Sequence, residues 1–495
     1  MAQHDPAVPA GLPAGRAVAL DDRVVIRGEA SVVLGGAPFG VLRIAPAARP
    51  FLRRLSDAGP AGLVPSAGVE RAVVDLLLAR GIVHPVAYTG TAEPHTVAVV
   101  VPAYQCATLL EACLASLRTA DPDVPIVVVD DASPDAAVGA VALAHGATLI
   151  RHPVNRGPAA ARNTGLSAVD AEVVAFVDAD CAVTTGWLGP LLPHFDDVRV
   201  AAVAPRISPR SDSDGPLERY EITRSALDMG PRPELVTPGG ALGYLPSAAL
   251  LIRRSALGPG FDEQLRVGED VDLIWRLVDA GWMVRYEPAA LVTHRTRPQL
   301  FDWAARHFAY GTSAAELDRR HPGRLTPARV SPWSAAVGLL VLARRPSLGL
   351  AAATGVGVAA VATGLLARTL SRSSVDPRVA PVLFGKGLLS DAAATGHLLR
   401  REWWPIGWLT LVLAPKSRVA RAAAASMLAP IAHEWLTGRT QSGVVRYFAM
   451  RRLEDAAYGS GVITSAVRRR RLGVLLPRVR HRSARDRRSR PTGPQ

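Results

Sequence analysis

Between residues 96 and 330, apolar runs long enough for buried strands alternate with stretches whose apolar positions recur at helical spacing. The pattern predicts, in chain order, strands Val97–Val101, Ile126–Val129, Ala147–Ile150 and Val173–Val177 and helices Thr108–Leu117, Ala136–His145 and Pro158–Leu166. Strands that alternate with helices indicate an α/β fold with a Rossmann-like, mostly parallel sheet. Ligands of such sheets bind beyond the carboxyl ends of the strands, so we expect the active site there.

Residues 20–88 carry shorter runs that predict a separate, small α+β module. Val24–Arg27 and Ser31–Leu34 are strand-like, and helical spacing follows over Pro46–Leu55 and Val69–Arg80. Ile82 and Val83 then begin a final predicted strand. Two hairpin-like strands with helices are similar to a winged-helix module. The segment also resembles the small peptide-recognition modules of systems that modify ribosomally made peptides. Residues 1–19, rich in Pro, Ala and Gly, are expected to be a disordered N-terminus.

Residues 331–465 are rich in Ala and Gly and predict a helical region that associates with a membrane. Leu348–Ala367 carries no charged residue and is long enough, at 20 residues, to cross a hydrocarbon layer of about 30 Å. Val337–Ala343 is also apolar. Trp403, Trp404 and Trp408 flank a further apolar run, which is typical of a membrane interface. The alternative is a soluble helical bundle, since Ala and Gly are only weakly hydrophobic.

The net charge of +14 is concentrated near the C-terminus, where residues 466–495 predict a basic, disordered tail. Such a tail either stays solvated or contacts an anionic membrane face; no nucleic-acid motif accompanies it, so no nucleic-acid partner is expected. Three cysteines without metal-site spacing indicate a reducing compartment. The first residues lack the pattern of a signal peptide. We therefore expect the cell membrane as the location, with the catalytic domain in the cytoplasm.

Polar residues that follow the predicted strands form a candidate nucleotide-binding site. Carboxylates at a strand end can accept hydrogen bonds from a base or a ribose, and the amides of a helix N-terminus suit a diphosphate. The candidates are Pro102, Tyr104, Asp130, Asp131, Asn155, Gly157, Arg162, Asn163 and Asp178. Taken alone, each motif is also consistent with a helix cap or a capped surface helix.

Acidic residues further along supply a candidate metal site and a candidate base. Asp178 and Asp180, separated by one residue at a strand end, are the hard oxygen ligands that Mg²⁺ or Mn²⁺ prefers. His294 follows a predicted strand and is a possible third ligand, although a lone histidine is equally consistent with a structural role. Glu269 and Asp270 begin a predicted helix, where a carboxylate can take a proton from an attacking hydroxyl.

The order of these motifs resembles that of the inverting family 2 glycosyltransferases of GT-A fold, over Val97 to His294. The resemblance implies that Asp131, with Asp130 beside it, contacts the nucleoside of a nucleotide-sugar donor. It implies that Asp178 and Asp180 hold a divalent metal and the diphosphate, and that Asp270 is the general base. The Gln-x-x-Arg-Trp motif of processive members is absent from the sequence, which argues against a synthase of long polymers.

The layout as a whole resembles the glycosyltransferases of the mycofactocin system. That resemblance implies transfer of glucose from a UDP-glucose-type donor, in β-linkage and with several units possible, to a peptide-derived redox cofactor precursor. The alternative is a rhamnosyl- or galactosyl-type family 2 enzyme of cell-wall polysaccharide synthesis. A nucleotidyltransferase is disfavoured because the loop after the first strand lacks Gly, Lys and Arg. An inactive scaffold is disfavoured because all the acidic candidates are present.

Overall fold

The computed structural model describes residues 11–86, 95–296, 299–335, 348–372, 376–438, 440 and 442–479. The chain forms two compact units, Met1–Leu300 and Phe301–Gln495. The first unit holds the small module and the candidate catalytic part, and the second is helical.

The small module contains five strands and two helices: β1 (Val18–Leu20), β2 (Val25–Arg27), β3 (Val32–Gly35), β4 (Gly40–Arg43), α1 (Arg49–Ala58), α2 (Val69–Leu78) and β5 (Val83–Pro85). Strands β2, β3 and β4 form an antiparallel sheet, and β1 pairs with β5. The helices bury Phe51, Leu52, Leu55 and Leu77 in the module's core. The elements predicted from the pattern are present, together with β1 and β4, which the pattern did not indicate. The winged-helix likeness stays a prediction.

The catalytic part alternates strands and helices in its first half and then departs from that alternation. Its elements are β6 (Val97–Ala103), α3 (Ala107–Ala120), β7 (Ile126–Asp130), α4 (Ala137–Ala144), β8 (Thr148–Arg151), α5 (Pro158–Ser167), β9 (Val173–Val177), β10 (Cys181–Val183), β11 (Val200–Arg210), α6 (Pro216–Thr223), β12 (Glu234–Leu235), β13 (Ala249–Arg253), α7 (Glu269–Asp279) and β14 (Met283–Arg295). Every strand and helix predicted between Val97 and Val177 is present, and the α/β class is confirmed.

These strands form one nine-stranded sheet in the order β10-β14-β11-β13-β9-β6-β7-β8, with β12 paired to β14. Neighbours from β9 to β8 are parallel, as are β11 and β14, whereas β13, β10 and β12 run antiparallel to their neighbours. The expectation of a mostly parallel sheet was therefore wrong, because the sheet is mixed. Helical crossovers are required only between parallel neighbours. The strands after Val177 therefore do not alternate regularly with helices along the chain, and the sequence pattern did not predict their directions.

The sheet core is closely packed on the side covered by α5. Gly165 faces Val100 of the central strand, and a Cβ at this glycine would lie 2.3 Å from Val100 Cγ1. The missing side chain lets the helix approach the sheet, which places the first turn of α5 next to the strand ends.

The second unit contains α8 (Leu300–Thr312), α9 (Ala314–Arg320), β15 (Arg329–Val330), α10 (Leu348–Arg372), α11 (Ala380–Arg400), α12 (Trp404–Leu413), α13 (Arg418–Thr437), α14 (Val444–Arg468) and β16 (Arg478–Val479), with α8 starting at the boundary. In the part of the chain that the structure describes, no helix combines the length and the apolar character needed to span a membrane. Val337–Ala343 and the side chains of residues 348–355 lie outside the described residues.

The prediction of disorder from residue 466 onward is wrong for the first part of that segment. Helix α14 continues to Arg468 and β16 pairs with β15 at Arg478–Val479. The stretch from 466 to 479 thus carries regular structure, while 480–495, like 1–10, lies outside the described residues.

Candidate active site

Asp131, directly after β7, anchors the loop that leads into α5. Its Oδ1 accepts a hydrogen bond from the Arg156 amide at 2.9 Å, and its Oδ2 accepts one from the Gly157 amide at 2.7 Å. His152 Nδ1 lies 2.7 Å from the same Oδ1, and its Nε2 lies 2.9 Å from Thr164 Oγ1. The buried carboxylate therefore already has partners within the fold, and its role at the nucleoside stays a prediction.

Asp130 and Ser133 connect the loops that follow β6 and β7. Asp130 is fully buried; its Oδ1 accepts a hydrogen bond from the Ser133 amide at 2.9 Å, and its Oδ2 lies 3.6 Å from Arg151 Nε. Ser133 Oγ accepts a hydrogen bond from the Gln105 amide, also at 2.9 Å. Tyr104, one residue earlier, is half exposed at the rim. Hydrogen bonds thus join the loops that follow β6 and β7 at the carboxyl ends of these strands.

Pro102 lies inside β6 instead of ending it, in contrast to what the sequence suggested. It pairs in register with Val129 of β7, and the strand continues to Ala103. The pairing of β6 with β9 stops at Val100, so Pro102 has a strand neighbour on one side only. A proline, which lacks an N–H donor, is tolerated at such a position.

Arg162, on the first turns of α5, bridges two of the candidate acidic residues. Its Nη2 donates to Asp178 Oδ1 at 2.7 Å, and its Nη1 donates to Glu269 Oε1 at 2.9 Å. The guanidinium is buried and lies 5.4 Å from the centre of the Phe261 ring. Burial disfavours its charge, but attraction to Asp178 and Glu269 outweighs burial and raises the pKa of Arg162.

Asn155 and Asn163 fix the loop that faces α5. Asn163 Oδ1 accepts from the Phe261 amide at 2.9 Å, and Asn163 Nδ2 donates to the Phe261 carbonyl at 2.8 Å. Asn155 donates to the Asp131 carbonyl and accepts from Arg266, both at 3.2 Å. Both side chains hold the protein's own backbone and loops, and their contact with a donor stays a prediction.

Asp178 and Asp180 follow β9 at the centre of the edge, with side chains partly exposed. The Asp178 amide donates to the Ala248 carbonyl at 2.9 Å, which fixes the turn. His294 lies in β14, in register with Cys181, and its Nε2 is 3.2 Å from Asp180 Oδ2. Within the described residues, His, Cys, Asp and Glu side chains form no group of three placed to hold a metal.

The two partly exposed carboxylates still fit a divalent metal that is held jointly with a nucleotide. Mg²⁺ and Mn²⁺ sites that serve a nucleotide often use one or two carboxylates, with the remaining ligands coming from phosphate oxygens and water. Asp178 and Asp180 match that donor set. His294, in contact with Asp180 Oδ2, is placed to orient that carboxylate as well as to approach a metal.

Glu269 and Asp270 begin α7 after Gly268. Burial raises the pKa of Glu269 to about 7, the neighbouring Asp270 charge adds to this, and Arg162 opposes it. Burial also raises the pKa of Asp270, whose Oδ2 accepts a long hydrogen bond from the Ser247 amide at 3.4 Å. Two adjacent carboxyl groups with raised pKa values at a helix N-terminus are suited to proton transfer near neutral pH.

A cavity of about 500 Å³ adjoins Asp180. Ser211, Ser213, Glu218 and Arg295 line it. The Ser213 hydroxyl donates to Glu218 Oε1 at 2.6 Å. A space with hydroxyl, carboxylate and guanidinium groups suits a polar, hydroxyl-bearing molecule.

Sequence reasoning missed His152, Phe261 and Ser247. His152 carried a usable signal, because it directly follows β8 at the same carboxyl edge as the other candidates. Phe261 and Ser247 lie in loops without a motif, and only the folded chain brings them to Arg162 and Asp270.

The comparison with family models identifies the class of protein. Residues 98–258 match the model described as glycosyl transferase family 2. A pre-mycofactocin glycosyltransferase from Mycobacterium tuberculosis, strain CDC 1551 / Oshkosh, is 37% identical over 491 residues, which covers 95% of this chain and 99% of that protein. The same values hold for strain ATCC 25618 / H37Rv. The chain therefore belongs to the pre-mycofactocin glycosyltransferases, within glycosyl transferase family 2.

More distant similarity is confined to parts of the chain. The succinoglycan biosynthesis protein ExoU of Rhizobium meliloti (strain 1021) is 28% identical over 204 residues, 38% of this chain and 59% of that protein. Among solved structures, a mannosyltransferase, PcManGT from Pyrobaculum calidifontis in complex with GDP-Man and Mn²⁺, is 23% identical. The match covers 60% of this chain and 88% of the mannosyltransferase chain, with a TM-score of 0.36.

Proposed function

We propose that this glycosyltransferase transfers glucose from UDP-glucose to the peptide-derived mycofactocin precursor, in β-linkage and with repeated addition of a few units. The observation that carries the proposal is the 37% identity, over nearly the full length of both chains, to a protein named pre-mycofactocin glycosyltransferase. The candidate site supports it, because Arg162, Asp178, Glu269 and Asp270 meet at one edge of the sheet.

The proposed reaction is a single inverting displacement. Asp270 takes the proton of an acceptor hydroxyl, whose oxygen forms a bond to the anomeric carbon. The bond from that carbon to the diphosphate oxygen breaks on the opposite face, and the nucleoside diphosphate leaves. The raised pKa of Asp270 makes it a better proton acceptor than an exposed aspartate.

Asp178 and Asp180 would hold Mg²⁺ or Mn²⁺ together with the donor diphosphate. When bound, the metal neutralises negative charge on the leaving group. Arg162 keeps Asp178 in place through its 2.7 Å hydrogen bond and adds positive charge at the same edge. In this proposal His294 is the third protein ligand of the metal.

The small module is proposed to recognise the peptide-derived acceptor. It is attached to the catalytic part by ion pairs, since Arg23 Nη1 lies 2.7 Å from Glu234 Oε1 and Arg199 Nη2 lies 3.0 Å from Asp75 Oδ1. These contacts support a fixed placement of a recognition module beside the catalytic part. The polar cavity next to Asp180 offers space for the acceptor's hydroxyl groups.

We also propose the cytoplasmic face of the cell membrane as the location. Cys106, Cys113 and Cys181 are free thiols, as suits a reducing compartment. The basic C-terminal residues suit an anionic membrane face.

A transfer assay tests the proposed reaction. It combines the full chain with UDP-glucose, Mn²⁺ and the mycofactocin precursor. Mass spectrometry should show products that are heavier by whole hexose units, and free UDP should appear in step. Asp270→Asn should abolish transfer while donor binding persists. Asp123→Asn, at an exposed aspartate on the other edge of the sheet, serves as the matched control and should keep full activity. Turnover with a rhamnosyl or galactosyl donor but none with UDP-glucose would favour the cell-wall alternative instead.

A further inference from the structure

Helix α12, Trp404–Leu413, contains no charged residue, yet one of its faces is open to solvent. Ile406, Leu409 and Leu413 follow helical spacing along this face, and Trp408 and Val412 lie beside them. Leu409 is 55% exposed and Val412 is 72% exposed. A helix that is apolar on all sides is stable in water only when its surface is covered. We therefore expect an apolar partner to cover the exposed face of α12.

Basic residues follow directly at the end of this helix. Lys416, Arg418 and Arg421 are all exposed. Arg421 is held against the helix end by hydrogen bonds from its Nη1 to the carbonyls of Ala414 and Pro415, both at 3.3 Å. The apolar face is thus bordered by fixed positive charge, which complements an anionic surface.

A buried guanidinium lies beneath the same face. Arg452 of α14 is 6% exposed, and its carbon Cζ is 4.9 Å from the centre of the Trp408 ring. Its Nε and Nη2 have no hydrogen-bond partner among the described residues, and its Nη1 has only the Met427 sulfur, at 3.8 Å. These two nitrogens are closed to solvent, and the guanidinium faces the Trp408 ring, so Arg452 stabilises the position of Trp408 from inside the unit.

We infer that α12 is a membrane-surface anchor that lies in the headgroup region of an anionic phospholipid bilayer. Its exposed aliphatic side chains would enter the acyl region, and Trp408 would sit at headgroup level. Lys416, Arg418 and Arg421 would contact anionic headgroups.

The length of α12 favours lying on the membrane over crossing it. Ten residues of helix extend about 15 Å, half of a hydrocarbon layer of about 30 Å. This inference concerns attachment and rests on the proposed membrane location, so it can fail while the proposed reaction stands. Vesicle binding and hexose transfer are measured separately.

Vesicle flotation of the full chain tests the anchor. Wild type should bind vesicles of equimolar phosphatidylcholine and phosphatidylglycerol more tightly than vesicles of phosphatidylcholine alone, and added salt should weaken the difference. Leu409→Ser with Val412→Ser should weaken binding to both vesicles about tenfold, since two apolar side chains no longer enter the bilayer. Val445→Ser, at a residue 81% exposed on α14, is the matched control and should bind like wild type.

Arg418→Gln separates lipid binding from folding. It should weaken binding to the anionic vesicles about fivefold and leave binding to phosphatidylcholine unchanged. Its melting temperature should not fall, because Arg418 is exposed. Equal wild-type binding to both vesicles, or wild-type-like binding by the double serine variant, overturns the inference. A wild-type dimer in lipid-free solution that the double serine variant converts to a monomer overturns it too, since a second copy would then cover the face.

Discussion

The guanidinium of Arg162 donates a hydrogen bond to the Glu269 carboxylate over 2.9 Å, although 107 residues separate the two in the chain. Both side chains are buried, and Arg162 also holds Asp178. The pair therefore connects α5, which carries Arg162, to α7, which carries Glu269 and the proposed base Asp270.

At pH 8, where Glu269 has lost its proton, Arg162→Met should destabilise the protein by about 3–5 kcal/mol, because it leaves the buried Glu269 carboxylate without its partner. Denaturant unfolding of the variant and wild type measures the difference. The double variant Arg162→Met with Glu269→Gln should recover part of the loss, since no uncompensated charge remains at Glu269. Strictly additive effects of the two substitutions would show that the ion pair carries no coupling energy.

Stability should fall as pH rises from about 4.5 to about 7, the interval between the ordinary pKa of a glutamate and that of Glu269. In this interval the folded protein holds a proton on Glu269 that the unfolded chain has lost, so each rise in pH favours the unfolded chain. This shift in the pKa of Glu269 corresponds to a change in unfolding free energy on the order of 3 kcal/mol. Urea unfolding at several pH values measures the slope.

Glu269→Gln should reduce that slope but not remove it, because the remaining buried carboxyl with a raised pKa at this helix start is Asp270. Glu263→Gln is the matched control, since Glu263 is an exposed glutamate of the neighbouring loop that pairs with Arg156. A slope that survives Glu269→Gln unchanged would assign the pH dependence to another group.

Asp131→Asn should loosen the loop before α5 and raise the KM for the donor more than it lowers kcat. The variant loses a charged acceptor shared by the Arg156 and Gly157 amides, at a cost of about 2–3 kcal/mol. Donor titration and thermal unfolding measure the two effects. Asp135→Asn should change neither by much, because the exposed Asp135 side chain accepts a hydrogen bond from the Ala137 amide, at 3.0 Å, and an asparagine oxygen can accept the same bond. Equal effects from both variants would contradict the role of Asp131.

The positions of the candidate residues could be predicted from the sequence because strand ends share one edge of the sheet. Asp130, Asp131, Asp178 and Asp180 all follow buried apolar runs that became β7 and β9. Their partners could not be predicted in the same way. Arg162 was singled out for a diphosphate, and its contact with Glu269 depends on how α5 and α7 lie over the sheet.

The sheet direction and the C-terminal region show where the pattern was insufficient. Strand β13 inserts antiparallel between β9 and β11, and no local feature of its apolar run states its direction. In the C-terminal unit, an apolar stretch indicates burial against lipid or against other helices alike. The ten-residue α12 could not be distinguished in sequence from part of a longer span.

Asp180→Ala should remove the metal dependence of donor binding. Asp180 is one of two carboxylates proposed for the metal, and its side chain is partly exposed at the strand end, so its loss leaves one carboxylate and the phosphates to hold the ion. Calorimetric titration of the full chain with UDP-glucose, with and without Mn²⁺, measures the effect, and Asp123→Asn should keep the wild-type response. His294→Gln should weaken Mn²⁺-dependent binding by about 10–100-fold if its 3.2 Å contact orients Asp180. Donor binding that is equally tight with and without metal in wild type would show that Asp178 and Asp180 hold no ion.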